Sequence, residues 1–151
     1  MTRAKIELLQ EELAGLKLAA GHLDYSVARC LSLIDQKDLL PDQLERFESL
    51  TSRFARLADL LVQRIFRLID DVELADAGTV LDRIYRAEKR GWANAADLIR
   101  IRELRNLIAH EYASDKMLEI HAAVAAMSST LLATVPRVIS YADAIIHRYT
   151  K

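Results

Sequence analysis

The sequence predicts an all-α protein: a single domain over residues 1–151, built as an up-and-down bundle of four long helices and a short one. Three observations carry that expectation. Of the 151 residues, 52% are hydrophobic, much of that Ala and Leu, and only 4 Gly and 2 Pro interrupt them, so helix formers dominate and breakers are scarce. Apolar residues recur at threes and fours along most of the chain, the period of one helix face. A chain this long makes about one domain and buries roughly 68 to 70% of its unfolded surface, enough for a single core.

The first helix is expected over residues 3 to 36, where IELLQEELAGLKLAAGHLDYSVARCLSLI keeps the helical period, with Gly15 and Gly21 as its weak points. QKDLLPDQ breaks it. Pro41 suits the first turn of a second helix, because its missing N–H is one that a helix start leaves unpaired anyway. The stripe Phe47, Leu50, Phe54, Leu57, Leu61, Ile65 and Leu68 carries this helix for about 28 residues and is the clearest helical signal in the chain. VELADAG ends it with acidic residues and Gly78. A short third helix follows from Thr79 to Arg90, closed by Gly91 where a left-handed cap is expected. Asn94 is placed to cap a fourth helix running to Tyr112. The fifth starts at Ser114 or Asp115 and passes through Met117, Ile120, Val124, Met127 and Leu131, with Pro136 bending it before Ile139 and Ile146. Short links between long antiparallel helices favour neighbours crossing at about 20°.

Bulk chemistry narrows the function classes. A net charge of −1 gives no global pull toward nucleic acid or anionic membrane, yet the cations are 15 Arg to 6 Lys, and arginine's planar fork is what grips phosphate in two-point fashion. Cys30 is the only cysteine, so no intramolecular disulfide forms, which fits a reducing cytoplasm. The N-terminal MTRAKIELLQEELAG carries charges where a signal peptide needs its apolar run, and no stretch approaches eighteen uninterrupted apolar residues, so a soluble cytoplasmic protein without membrane contact is expected. His22, His121 and His147 are too scattered for a metal site. Neither a nucleophile elbow nor a glycine-rich phosphate loop occurs, so triad hydrolases and P-loop enzymes are disfavoured.

One stretch stands apart. ELRNLIAHEY, residues 103–112, puts an arginine, an asparagine, a histidine and a tyrosine within eight residues of a helix. With Arg105 at zero on a helical wheel, Ile101, Leu104, Leu107, Ile108 and Glu111 fall in one sector, the expected buried side. Tyr112, Arg105, Ala109, Arg102, Asn106, His110 and Glu103 occupy the other. Arg105 and Tyr112 share one edge two turns apart, and Asn106 and His110 form an i, i+4 pair within hydrogen-bonding reach. Arg105 and His110 stand about 140° apart on an ideal helix, too far round to grip one phosphate from a single chain. Either the helix loosens near Glu111 or a second subunit completes the site.

The pattern R-N-x-x-A-H-E-Y, late on the fourth helix and approached through AEKRGWANAADLIRIRELRNLIAHEY, resembles the HEPN family (higher eukaryotes and prokaryotes nucleotide-binding). It is most similar to the branch of signature R-x-x-x-x-H-x-Y, toxins paired with a minimal nucleotidyltransferase antitoxin. The resemblance implies a HEPN-like bundle, a homodimer whose motifs meet at the two-fold axis, and a metal-independent endoribonuclease toxin without cofactors. It implies catalytic roles for Arg105, Asn106 and His110, with RNA cleaved by its own 2′-hydroxyl. It also implies that Tyr112 accepts AMP from the antitoxin, which silences the toxin. The alternative is a non-catalytic HEPN subunit that binds a nucleotidyltransferase and presents its substrate. A plain helical interaction domain is the third reading.

Further RNA contacts are expected at Arg102 and along DRIYRAEKRG, where Arg83, Arg86, Lys89 and Arg90 precede the motif helix and Tyr85 and Trp92 offer stacking surfaces, diluted by Asp82 and Glu88. Arg53, Arg56, Arg64 and Arg67 flank the apolar stripe of the second helix and read as solvated or interface pairs.

Overall fold

The structure, a computed structural model, describes residues 3–110 and 116–150; Tyr112, with its expected role as AMP acceptor, lies outside them. Every regular element among the described residues is helical. α1 spans Arg3–Cys30 and passes into a 3₁₀ turn over Leu31–Leu33. Its buried side chains Ile6, Leu9, Leu13, Leu16, Ala19 and Leu23 follow at threes and fours, and Gly15 and Gly21 stay inside the unbroken helix.

α2, Pro41–Asp59, a π-helical turn over Leu60–Ile65 and α3, Phe66–Val72, form one continuous rod. Pro41 holds its first position, and the Leu40 N–H donates to the Gln43 side chain at 2.9 Å. The π turn has a reason in the stripe. Leu57, Leu61, Ile65 and Ile69, all fully buried, are spaced four apart, and on an α-helix each such step drifts the stripe by about 40°. A wider turn takes in the surplus and keeps one face inward. Past it Ile69 is fully buried and Leu68 only half so, a shift from the stripe expected of a plain α-helix.

The rod ends in a Schellman cap: the Ala75 N–H donates to the Asp70 carbonyl (2.8 Å) and the Leu74 N–H to that of Asp71 (3.2 Å). Leu74 takes the left-handed position at φ +58°, where a side chain costs about 1 to 2 kcal/mol. Thr79 and Asp82 then cap α4, Val80–Lys89, reciprocally: Thr79 N–H to Asp82 Oδ2 at 2.7 Å, Asp82 N–H to Thr79 Oγ1 at 3.2 Å. α4 closes on a second Schellman cap with Gly91 at φ +81°, as its sequence predicts. α5, Ala95–His110, is capped differently from expectation. The Ala95 N–H donates to Glu88 Oε2 at 2.8 Å, and Asn94 contributes only its carbonyl, to Leu98 N–H. A carboxylate at a helix N-terminus also meets the positive end of its dipole.

α6, Met117–Tyr149, runs through Pro136 without ending. It is the one described helix long and apolar enough to cross a membrane, but Ile120, Val124, Leu131, Val138, Ala142 and Ile145 of its inner face are buried in the core. It packs against α1, α2 and α5, while α1 lies along α2, and α4 joins α5 to α3. Trp92, 1% exposed, closes the core beyond α4, meeting Phe66 at 5.1 Å and Tyr141 edge-on at 5.2 Å.

His121 is buried at the start of α6, stacked on Phe47 at 4.5 Å, with no protein partner for either ring nitrogen among the described residues. Burial holds its pKa below the ordinary histidine value. The unfolded chain therefore takes up this proton first as pH falls. The stability His121 contributes is complete above about pH 6.5 and is lost as pH drops below it toward the folded value, by up to about 1.4 kcal/mol per pH unit. Thermal melts between pH 7.5 and 5 should show a steeper loss for the wild type than for His121→Leu; equal slopes would exclude this account.

Candidate functional site

α5 buries Ala95, Leu98, Ile101 and Leu104, three residues apart, and this turns the motif outward. Arg102, Asn106, Ala109 and His110 are exposed and Arg105 is half-buried, the sector the wheel predicts. Leu107, assigned there to the buried side, is 42% exposed, while Ile108 beside it is half-buried against the core.

A groove of about 960 Å³ runs beneath this face. α5 supplies Arg102, Arg105 and Asn106, and the rod supplies Arg56, Asp59, Gln63 and Arg64. Arg105 lies fork to fork on Asp59, Nε to Oδ1 at 2.7 Å and Nη2 to Oδ2 at 2.9 Å. Asp59 is the last residue before the π turn. The hydrogen bond to Asp59 raises the Arg105 pKa against a smaller effect of burial. With the side chains 35% and 41% exposed, solvent screens the pair, and its value is geometric more than energetic. The fork fixes the plane of the guanidinium through one edge and leaves the Nη1 edge without a partner among the described residues.

His110 does not line this groove, and no hydrogen bond joins Asn106 to His110 among the described residues. One chain thus brings Arg102, Arg105 and Asn106 together and leaves His110 outside them.

The basic patch expected on α4 is rearranged. Arg86 Nη1 meets Asp70 Oδ2 at 2.9 Å, and Arg90 reaches Asp70 Oδ1 at 2.6 Å and Glu73 at 3.0 Å. Asp70 is 2% exposed, so these two arginines, expected as RNA contacts, are engaged in neutralising an interior carboxylate. Arg90 also stacks over Trp92 at 5.2 Å and Tyr141 at 5.5 Å. Trp92 is buried and cannot stack a base; Tyr85 and Lys89 remain exposed. Sequence reasoning passed over Asp59, whose partner is 46 residues away and which reads as one acid among many.

The chain matches no protein-family model, no curated protein and no solved structure.

Proposed function

We propose that the chain is a HEPN-type ribonuclease toxin of the cytoplasm that acts as a homodimer and is silenced by AMP transfer to Tyr112 from a nucleotidyltransferase antitoxin. The observation that carries this reading is the division of the motif: Arg105 and Asn106 line a groove rich in arginine, and His110 does not. A second copy about a two-fold axis brings two such faces together.

In the chemistry proposed, the RNA 2′-oxygen bonds to the adjacent phosphorus as the bond to O5′ breaks. One His110 takes the 2′-hydroxyl proton and its symmetry mate gives a proton to O5′, leaving a 2′,3′-cyclic phosphate and a 5′-hydroxyl. Arg105 neutralises the charge that builds on the phosphorane. Asn106 orients the imidazole or binds a phosphate oxygen. Asp59 is a positioning residue, holding one edge of Arg105 so that the other edge meets the phosphate. An AMP on Tyr112 would set an anion beside Arg105 and occupy the substrate's place.

Expression of the chain alone should arrest growth, and the purified protein should cleave RNA to cyclic-phosphate ends in the presence of a chelator. A harmless chain, or cleavage that requires added metal, defeats the reading. Asp59→Asn should lower kcat by up to about 10²-fold through misplacement of Arg105, with Asp59→Glu recovering part of it. For Tyr112, intact-mass analysis after co-expression with the antitoxin should show steps of one AMP that vanish in Tyr112→Phe.

A further inference from the structure

Arg83 of α4 is a cation the fold takes out of water without giving it a carboxylate. It is 7% exposed; Nη2 donates to Gln63 Oε1 at 3.3 Å, and Nε is buried with no partner among the described residues. Burial first, then the charge of Arg67, pulls its ionisation below the ordinary guanidinium value; Asp70 opposes this, and Arg102 and Arg86 add to it. A buried guanidinium among guanidinium groups is unfavourable unless an anion comes to it.

The surrounding acids do not supply that anion, because each already holds its own cation. Glu12 pairs with Arg64 at 3.7 Å, Asp59 with Arg105, Asp70 with Arg86 and Arg90, and Asp71 with Lys5 at 2.9 Å. Arg56, Arg67, Arg83 and Arg102 are left without a carboxylate among the described residues. Arg56 and Arg102 line the motif groove, Arg67 lines a second cavity, and Arg83 lies buried behind Gln63, which lines both. The motif groove and this second cavity of about 540 Å³, lined by Arg67 beside the already paired Asp70 and Asp71, share Glu12, Gln63 and Arg64. The shared residues mark the shortest path between the two cavities, from Arg105 and Arg102 past Gln63, the partner of Arg83, to Arg67.

We infer that this path is a phosphate-binding track, with Arg102 and Arg67 as its contacts and Arg83 charging its floor through Gln63. Its ligand, resting on the ribonuclease reading, is the backbone of single-stranded RNA to one side of the phosphate held by Arg105. No aromatic side chain lines either cavity. The track thus grips backbone and stacks no base, and its contribution to affinity is independent of base sequence.

The test measures binding of fluorescent single-stranded RNAs of different sequence to full-length His110→Ala protein over a range of salt, alone and combined with Arg67→Gln or Arg102→Gln. Both positions are exposed and tolerate the change without loss of core. Each substitution should weaken binding similarly for all sequences and reduce the log–log salt slope by about 0.7, while Arg29→Gln on α1 leaves both unchanged. Tripolyphosphate supplies an independent arm: it should raise the melting temperature of the wild type, and the Arg67→Gln, Arg102→Gln double variant should lose that shift. If the wild type cleaves RNA but both variants bind it with wild-type affinity and salt slope, the track is wrong and the ribonuclease reading stands. If tripolyphosphate stabilises through these arginines and the wild type cleaves no RNA, the phosphate track is supported and the ribonuclease reading falls.

Discussion

His110→Ala is expected to lower kcat for RNA cleavage by about 10²- to 10⁴-fold while leaving RNA affinity within a fewfold of the wild type. The separation follows from where the charges lie. The cations that hold the backbone line the groove and the adjoining cavity, and His110 lies outside both. Its loss removes proton transfer, which matters only as bonds change, and not the attraction that brings RNA to the surface. The two-fold arrangement sharpens the expectation. If one imidazole takes a proton and its mate gives one, a mixed dimer with a single His110 is as impaired as the double variant. Mixing wild type with His110→Ala at fixed total protein should then reduce activity as the square of the wild-type fraction. A linear decline would mean that each subunit works alone, and the paired-histidine mechanism would be lost.

The helices were legible because burial imposes a period that propensity alone does not. Leu9, Leu13, Leu16 and Leu23 mark α1, the run from Phe47 to Ile65 marks the rod, and Gly91 marks a left-handed cap. The exposure of Arg102, Asn106 and His110 followed from the same wheel. What escaped the sequence depends on groups that meet only in three dimensions. The π turn has no residue signature beyond four-residue spacing, which an α-helix with a drifting stripe would share. The cap of α5 comes from Glu88, seven residues upstream, so Asn94 was the better local candidate and the wrong one. DRIYRAEKRG reads identically whether its arginines face water or hold an acid inside. The burial of Asp70, set by α3 packing on α4, decides between these and makes Arg86 and Arg90 structural. Asp59 and Arg105 find each other only once α5 lies against the rod.

That interior carboxylate carries the second large expectation. Asp70→Asn should destabilise the fold by about 3 to 5 kcal/mol, the cost of breaking a buried pair from one side. In a domain of this size that lowers the melting temperature by on the order of 10 °C. Asp70 side-chain exposure is 3%, and the arginines it holds are 25% and 13% exposed, so solvent cannot take over its role. Its removal would leave Arg86 uncompensated and Arg90 with Glu73 alone, close to Arg83, which already lacks a carboxylate. A triple variant, Asp70→Leu with Arg86→Met and Arg90→Met, should recover much of the loss, because the carboxylate and both of its arginines then go together and none of the three is left as an unpaired charge. Arg86→Gln discriminates the structural role from an RNA contact: it should lower the melting temperature and leave the salt slope of RNA binding unchanged, whereas a phosphate contact would do the reverse. An Asp70→Asn protein that melts within a degree or two of the wild type would show that α4 does not depend on this pairing. The positioning of Arg83 beneath the track would then need another anchor.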